Sequence, residues 1–180
     1  MSEEPNDHGR IRNLWAPWRI EFMKSLADRD EDDCFLCTYR DQPERDRENL
    51  VLWRREHCLA VLNRFPYTGG HMLVAPLAHV PDLADMDGAA LQEMMEMLRD
   101  LEAALGKGLG AHGFNIGMNI GRCAGAGLPG HLHAHIVPRW AGDTNFMSIF
   151  DQVRVIPMSL EAIYDALCQA TQRLGLDDGR

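Results

Sequence analysis

The sequence predicts an α+β fold with a mainly antiparallel sheet of about five strands and two main helices. Three strand-like segments come first with no helix between them, further strands follow the first long helical segment, and turn residues separate them. A doubly wound fold would alternate strands with helices, which this chain does not do. Its 180 residues are enough for one domain that buries about 70% of its unfolded surface, so a core needs no disulfides.

The first three strands are predicted from runs of apolar and β-branched residues between polar turns. They cover residues 49–53, 57–62 and 71–75. A Pro-Tyr-Thr-Gly-Gly turn at 66–70 precedes the third strand. The stretch 41–49 is rich in Asp, Glu and Arg and is expected to form a solvated loop.

A long amphipathic helix is predicted over residues 85–105, with Asp85 or Asp87 as its cap. The apolar residues at helical spacing are Leu91, Met94, Met95, Leu98, Leu101 and Leu105. Ser159 is the expected cap of a final helix over 160–174. Between the two helices, strands are expected at 114–120, 131–137 and 153–156.

The chain is acidic, with 18 Lys and Arg against 27 Asp and Glu and a net charge of −9. This charge argues against a broad nucleic-acid surface, because such a surface neutralises many phosphates with basic side chains. A small anionic ligand is still compatible with it, since a few local donors are enough. No apolar run reaches the roughly 18 residues of a membrane helix, so no membrane partner is expected.

The five cysteines and the N-terminal residues predict a protein of the reducing cytoplasm, because a basic, apolar leader is missing. Residues 1–33 are polar apart from the cluster Leu-Trp-Ala-Pro-Trp at 14–18. Exposed aromatic clusters are unfavourable, so 1–33 is expected to be an N-terminal extension that packs on the body or on a partner subunit. The domain proper is expected over 34–180, including the C-terminal helix.

His131, His133 and His135 are the strongest indication of chemistry. Alternation along a strand places histidines at i, i+2 and i+4 on one face. With 8 histidines in 180 residues, such a triple arises by chance in about one or two per cent of chains. A terminal tag or an accidental metal trap would not lie among apolar strand residues. Imidazoles in this arrangement can act as a nucleophile, an acid–base group or a metal ligand.

Gly125, Gly127 and Gly130 directly precede the histidine strand. They match G-x-G-x-x-G, but a dinucleotide fingerprint requires a strand, the glycines and then a helix, and here a strand follows. Simple turn formation is the alternative for each glycine. Their position beside the histidines favours a loop whose backbone N–H groups hold a phosphate.

Residues 131–137, His-Leu-His-Ala-His-Ile-Val, resemble the signature of the histidine-triad (HIT) superfamily of nucleotide hydrolases and transferases. Segments 60–64, 70–76 and 137–143 look like the fragile-histidine-triad branch. The segments that look like the diadenosine-tetraphosphate phosphorylase-like members are 13–19, 112–117 and Asn119. The resemblance implies a HIT-like fold in which the sheets of two subunits join across a homodimer, with the helix near 91–105 a candidate contact.

The resemblance also implies roles for single residues. In the family the middle histidine, here His133, attacks the α-phosphate and forms a nucleotidyl-histidine. His135 would bind the phosphate or bridging oxygen and help the leaving group depart. Asn63 matches the ribose-contacting position, and Asn119 matches the position that approaches the phosphates.

The activity implied is cleavage of dinucleoside polyphosphates, such as diadenosine tetraphosphate, or of related nucleotide conjugates. An adenosine phosphoramidase with the same residues is the alternative enzyme, and a nucleotide-binding sensor is the non-enzymatic alternative. Many relatives carry Gln and then Ser or Thr where this chain has Gly127 and Leu128. The smaller Gly127 would leave room for an acceptor other than water, such as inorganic phosphate.

Cys34 and Cys37 form a C-x-x-C pair, which needs two further ligands to make a structural zinc site. A redox pair would require a thioredoxin-like context, which is missing, and two unligated thiols are the other alternative. Several zinc-bearing triad relatives complete the site with two histidines that match His79 and His131. Zinc on His131 would help to position His133. The remaining strand histidines, His57 and His71, are expected to be packed or hydrogen-bonded.

Overall fold

A computed structural model describes residues 34–143 and 158–176. The N-terminal extension predicted at 1–33 and the strand predicted at 153–156 lie outside the described residues. Within them, no helix is long and apolar enough to cross a membrane.

The described residues form one five-stranded sheet, in which every neighbouring pair is antiparallel. In chain order the strands are β1 (Val51–Arg54), β2 (Cys58–Leu62), β3 (Met72–Pro76), β4 (Gly113–Met118) and β5 (Ala134–Arg139). Their order across the sheet is β1-β2-β3-β5-β4, so the last strand lies between the third and the fourth. The predicted α+β class and antiparallel sheet are confirmed.

In the described part of the chain, four α-helices accompany the sheet: α1 (Phe35–Asp41), α2 (Asp46–Asn49), α3 (Gly88–Leu109) and α4 (Leu160–Leu174). Short 3₁₀ turns lie at Pro43–Arg45, Leu83–Asp85 and Arg122–Ala124. The two main helices begin where the sequence predicts. Asp87 caps α3 by accepting from the N–H of Ala89, and Ser159 caps α4 by accepting from the N–H of Ala162.

The stretch 41–49 is mostly exposed, as its charge predicts, but it is not a loop. It contains α2, and Asp46 and Asn49 are buried. Asp46 is buried in an ion pair, because the Arg54 guanidinium donates to both of its carboxylate oxygens at 2.8 Å and also to the carbonyls of Tyr39 and Arg40. A charged residue can be buried when it is paired in this way.

The core has two parts, one on each face of the sheet. Alternate residues of β2 divide between them: Cys58, Ala60 and Leu62 join the larger cluster with α3 and α4, while Leu59 and Val61 join the smaller cluster with α1. Every residue of β2 and β3 is buried. β2 and β3 are therefore covered on both faces, which makes them a rigid base for the residues at their ends.

Gly70 fixes the entry to β3. Its φ is +81°, and a Cβ at this position would lie 2.5 Å from Leu109 Cδ1. Only glycine avoids both the strained backbone and this contact. Gly70 therefore lies against Leu109, the last residue of α3, two residues before β3 begins.

The predicted strand over 131–137 is partly wrong. The strand begins at Ala134, so His131 and His133 precede it and only His135 lies within it. The N–H of Leu132 instead donates to the carbonyl of Val80 at 2.7 Å, outside the sheet. The three histidines therefore do not share one strand face, and His131 is free to take different neighbours from the other two.

Candidate active site and metal cluster

His133, His135 and His71 form a group of three imidazoles where β5 lies beside β3. The rings of His133 and His135 are 5.0 Å apart in an edge-to-face arrangement, and the rings of His71 and His135 are 5.1 Å apart. His71 Nε2 lies 3.0 Å from His135 Nδ1. The antiparallel pairing of β3 with β5 brings these residues together across 64 positions of sequence.

The hydrogen bonds around His71 assign its tautomer. Its Nδ1 faces two donors, the side-chain amide of Asn63 and the backbone N–H of Tyr67, each at 3.2 Å. Because Nδ1 accepts from these groups, we assign the proton to Nε2, which then donates to His135 Nδ1. His135 is left with its own proton on Nε2. The chain from Asn63 through His71 to His135 therefore makes His135 a neutral donor at Nε2.

His133 has the opposite tautomer. Its Nδ1 lies 2.8 Å from the carbonyl oxygen of His131, and we assign the proton to this nitrogen because the carbonyl can only accept. Nε2 of His133 therefore carries the lone pair. His133 is 6% exposed, so the lone pair lies in a mostly dry environment.

Burial keeps these imidazoles uncharged. The pKa of His71 falls to about 3 and that of His135 to about 4, first because burial disfavours the charged form and then because neighbouring histidines repel a second charge. Burial also lowers the pKa of His133, although the bond to His131 opposes this effect. At pH 7 the group therefore offers one bare nitrogen and one N–H donor without net positive charge.

Asn119 directly follows the strand that pairs with β5. In this pairing Gly117 is opposite His135 and Met118 is opposite Ala134. Asn119 comes after the last residue of β4, and His133 comes before the first residue of β5, so both leave the paired part of the sheet at the same end. Asn119 is half-buried.

The glycine loop joins β4 to the histidines. Gly125 has a φ of +86° and ends the 3₁₀ turn Arg122–Ala124, with its N–H donating to the carbonyl of Arg122 at 3.0 Å. The N–H of Gly125, which the sequence predicts to hold a phosphate, is thus already hydrogen-bonded within the loop. What Gly125 provides is a left-handed backbone conformation and the space left by the lack of a side chain. Gly130, at the end of the loop, packs against His79, since a Cβ there would lie 3.3 Å from His79 Nε2.

Asn63 lies where the hairpin of β2 and β3 leaves the sheet. Its backbone N–H donates to the carbonyl of His71 at 2.9 Å, and its side-chain oxygen accepts from the N–H of Phe65 at 2.9 Å. Its amide group also donates to His71. The residue predicted to contact a ribose is therefore hydrogen-bonded to the histidine group.

A second cluster brings together Cys34, Cys37, His79 and His131. Their four ligand atoms all lie within 4.8 Å of one another. Cys34 Sγ is 3.2 Å from His131 Nδ1, and Cys37 Sγ is 3.2 Å from His79 Nδ1. Burial raises the pKa of the Cys34 thiol to about 11 in the absence of a cation. All four residues that the sequence singles out are thus in one place.

The donor set and spacing of this cluster fit a tetrahedral zinc ion. Zinc–sulfur bonds of about 2.3 Å and zinc–nitrogen bonds of about 2.0 Å place ligand atoms roughly 3.3–3.8 Å apart. His131 has the orientation that such a site requires, because its Nε2 donates to the carbonyl of Pro76 at 2.8 Å and its Nδ1 faces the sulfurs. Cys34 is at the same time the N-cap of α1.

The sequence did not predict the contacts that two residues, His71 and Tyr67, make at the histidine group. His71 was expected only to be packed or hydrogen-bonded, which it is, but its partner is His135. Tyr67 carries no signal in the sequence beyond its place in a turn, yet its ring stacks on His71 at 4.7 Å. The register of the β2–β3 hairpin could have placed Asn63 opposite His71 from the sequence. The contact of His71 with His135 could not be predicted in this way, because it depends on the pairing of β3 with β5, for which the sequence carries no local signal.

The fold and the histidine group define a histidine-triad protein. The chain belongs to the HIT-domain family, whose domain matches residues 44–142. It is 35% identical over 155 residues to the AP-4-A phosphorylase of Mycobacterium tuberculosis strain H37Rv, a match that covers 84% of this chain and 80% of that protein.

Two further relatives extend the comparison. The asymmetrical bis(5'-nucleosyl)-tetraphosphatase of Schizosaccharomyces pombe is 34% identical over 93 residues, which cover 52% of this chain and 50% of that protein. Among solved structures, a Zn-bound histidine triad family protein from Mycobacterium smegmatis superimposes with a TM-score of 0.66 at 27% identity. That match covers 81% of this chain and 98% of the other.

Proposed function

We propose that the protein is a nucleotidyl-transfer enzyme that cleaves dinucleoside polyphosphates through a covalent intermediate on His133. The observation that carries this proposal is the hydrogen bonding of the two Nδ1 atoms, that of His133 to the carbonyl of His131 and that of His135 to His71 Nε2, from which we assign a bare Nε2 to His133 and an Nε2–H to His135. Nucleophilic displacement at phosphorus needs both a lone pair and a donor for the leaving oxygen. The names of the two nucleotide-cleaving relatives support the same class of enzyme, a HIT-family hydrolase or phosphorylase.

In the first step His133 Nε2 attacks the α-phosphorus. The bond between this phosphorus and the bridging oxygen breaks, and its electron pair leaves with the polyphosphate. His135 Nε2–H donates a hydrogen bond to the departing oxygen. His133 keeps its proton on Nδ1 and so becomes cationic, and the carbonyl of His131 stabilises this charge.

In the second step an acceptor oxygen attacks the same phosphorus. The phosphorus–nitrogen bond breaks and its electrons return to Nε2, which restores neutral His133. Inorganic phosphate attacks as an anion and needs no deprotonation, whereas attack by water releases a proton. Asn63 would contact the ribose, Asn119 would contact the phosphates, and Gly125 would allow them to approach the loop.

We propose inorganic phosphate as the acceptor, because Gly127 stands where many relatives carry a glutamine. The missing side chain leaves space beside the phosphates for a second anion. The mycobacterial relative is named a phosphorylase and the fission-yeast relative a tetraphosphatase, so the family contains both outcomes.

We propose a structural zinc ion held by Cys34, Cys37, His79 and His131. Two thiolates and two imidazoles at this spacing suit zinc, and a neighbouring structure is Zn-bound. The ion would supply a rigid crosslink between α1, the segment after β3 and the segment before β5. No reaction step requires it, since these four side chains hold the backbone of His131 rather than the substrate.

We also propose that two copies of the chain form a homodimer across β4. This strand is an edge of the described sheet, and its residue Ile116 is 49% exposed. Met95 on α3 is 61% exposed. An unpaired edge with exposed apolar residues can pair with another strand, which would join the two sheets.

The function is tested by incubating the protein with diadenosine tetraphosphate, with and without inorganic phosphate, and resolving the products. We expect ADP and ATP when phosphate is present, because AMP bound to His133 then passes to phosphate. AMP with ATP in both conditions would support the proposed cleavage activity and would contradict inorganic phosphate as the acceptor.

No cleavage of this substrate, with cleavage of an adenosine phosphoramidate instead, would replace the proposal with the phosphoramidase. Binding of nucleotide without cleavage of either compound would favour the sensor.

A Gly127→Gln variant is the matched test of the acceptor, and we expect it to lower the share of ADP by at least about tenfold, a barrier change of roughly 1.4 kcal/mol.

Metal analysis tests the zinc site. We expect about one zinc ion per chain and an at least tenfold lower content in Cys37→Ser, because three ligands remain. Cys123→Ser is the control, since Cys123 is exposed and lies outside the cluster. Chelation should lower the Tm of the wild type by about 5 to 10 °C. A zinc content near zero in protein purified with zinc would contradict the site.

Sedimentation tests the dimer. We expect a dimer at micromolar concentration and a monomer for Ile116→Glu, because a charge on the edge strand opposes strand pairing. Leu83→Glu is the control, since Leu83 is also exposed but lies on the 3₁₀ turn before α3. A monomeric wild type would contradict this proposal and leave the reaction unaffected.

A further inference from the structure

The loop between β2 and β3, residues 63–70, carries an aromatic ring on the active histidines. The ring of Tyr67 stacks on that of His71 with centroids 4.7 Å apart and an interplanar angle of 28°. It also faces His135 at 6.0 Å and 27°. Tyr67 is 43% exposed while His71 is fully buried, so the ring lies between His71 and solvent on that side.

The loop is fastened on both sides of Tyr67. Asn63 holds the N–H of Phe65, and Thr68 Oγ1 donates to the carbonyl of Pro138 on β5 at 3.1 Å. The backbone N–H of Tyr67 itself donates to His71 Nδ1. The ring is therefore held over the histidines by contacts within the loop and to β5, and the backbone of Tyr67 is hydrogen-bonded to His71.

We propose that Tyr67 is a positioning residue for the transfer reaction: its ring excludes water from the His71–His135 hydrogen bond and so preserves the Nε2–H donor of His135. If His135 gained a second proton, that proton would be on Nδ1, and two N–H groups would face each other across the 3.0 Å between the rings. The hydrogen bond would then be lost, and with it the orientation of His135.

The charges that act on this pair are those of the histidines themselves. Among the described residues, His71 is opposed by His135 and His133, and His135 is opposed by His133. Burial is the larger cause of both low pKa values. Water admitted beside the pair would raise each pKa toward the ordinary value of about 6.5. The pair would then begin to gain protons between about pH 4 and pH 6.5, where the wild type keeps it neutral.

The test compares Tyr67→Ala with Tyr67→Phe, which keeps the ring, and with Phe65→Ala. Phe65 is 72% exposed on the same loop, so its removal controls for changes in the loop alone. The first measurement is the imidazole nitrogen NMR signals of His71 and His135 as a function of pH. The second is kcat and KM for diadenosine tetraphosphate between pH 5 and pH 8.

We expect Tyr67→Ala to raise the pKa of the pair and to lower kcat at pH 5.5 by about tenfold relative to its value at pH 7.5, beyond any wild-type change. KM should change little, because the ring acts on the donor and not on the substrate. Tyr67→Phe and Phe65→Ala should keep the wild-type profile. If Tyr67→Ala is unstable, Tyr67→Leu replaces it, with a smaller shift in the same direction.

A Tyr67→Ala protein with reduced activity but unchanged pH profile and histidine signals would overturn the proposal, since a merely structural residue behaves in this way. The kinetic measurement rests on the proposed function, whereas the NMR measurement does not. A protein that cleaves no nucleotide but shows raised pKa values in Tyr67→Ala would therefore reject the function and retain the role of Tyr67 in holding the pair.

Discussion

The hydrogen bond from His133 Nδ1–H to the carbonyl of His131 is the interaction on which the site depends. It determines which nitrogen of His133 is bare and where that nitrogen lies. The carbonyl is well placed because the His131 ring is held on both sides, by Pro76 at Nε2 and by the cysteine cluster at Nδ1. One residue thus connects the candidate metal cluster to the candidate nucleophile.

Neutrality is the second property that the arrangement maintains. A chain of net charge −9 that handles a polyanion would be expected to place cations around it, yet the histidine group holds its imidazoles uncharged by burial. A neutral imidazole keeps the lone pair that attack requires, and an N–H donor stabilises a departing oxygen without a formal charge. The chain Asn63–His71–His135 supplies that donor through hydrogen bonds alone.

The sequence predicted those features of the fold that have local causes. Asp87 and Ser159 could be recognised as helix caps because a cap acts within its own turn, and β2 and β3 could be recognised from their apolar runs. The burial of Asp46 was not predicted, because composition assigns a carboxylate to solvent and its ion-pair partner, Arg54, is eight residues away. Cys34 and Cys37 were found from their spacing, and His79 and His131 were added as zinc ligands through a family resemblance. The roles of His71 and Tyr67 were not found, because they arise only when β5 pairs with β3.

Direct detection of the covalent intermediate tests the central claim, that His133 Nε2 is the nucleophile. The protein is mixed with diadenosine tetraphosphate without phosphate, quenched at neutral pH within one turnover, and analysed intact and as peptides by mass spectrometry. We predict a mass increase of one AMP, located on His133 and missing from His133→Asn, while His57→Asn retains it. Cleavage that proceeds normally in His133→Asn, or an adduct located on another residue, would contradict the account.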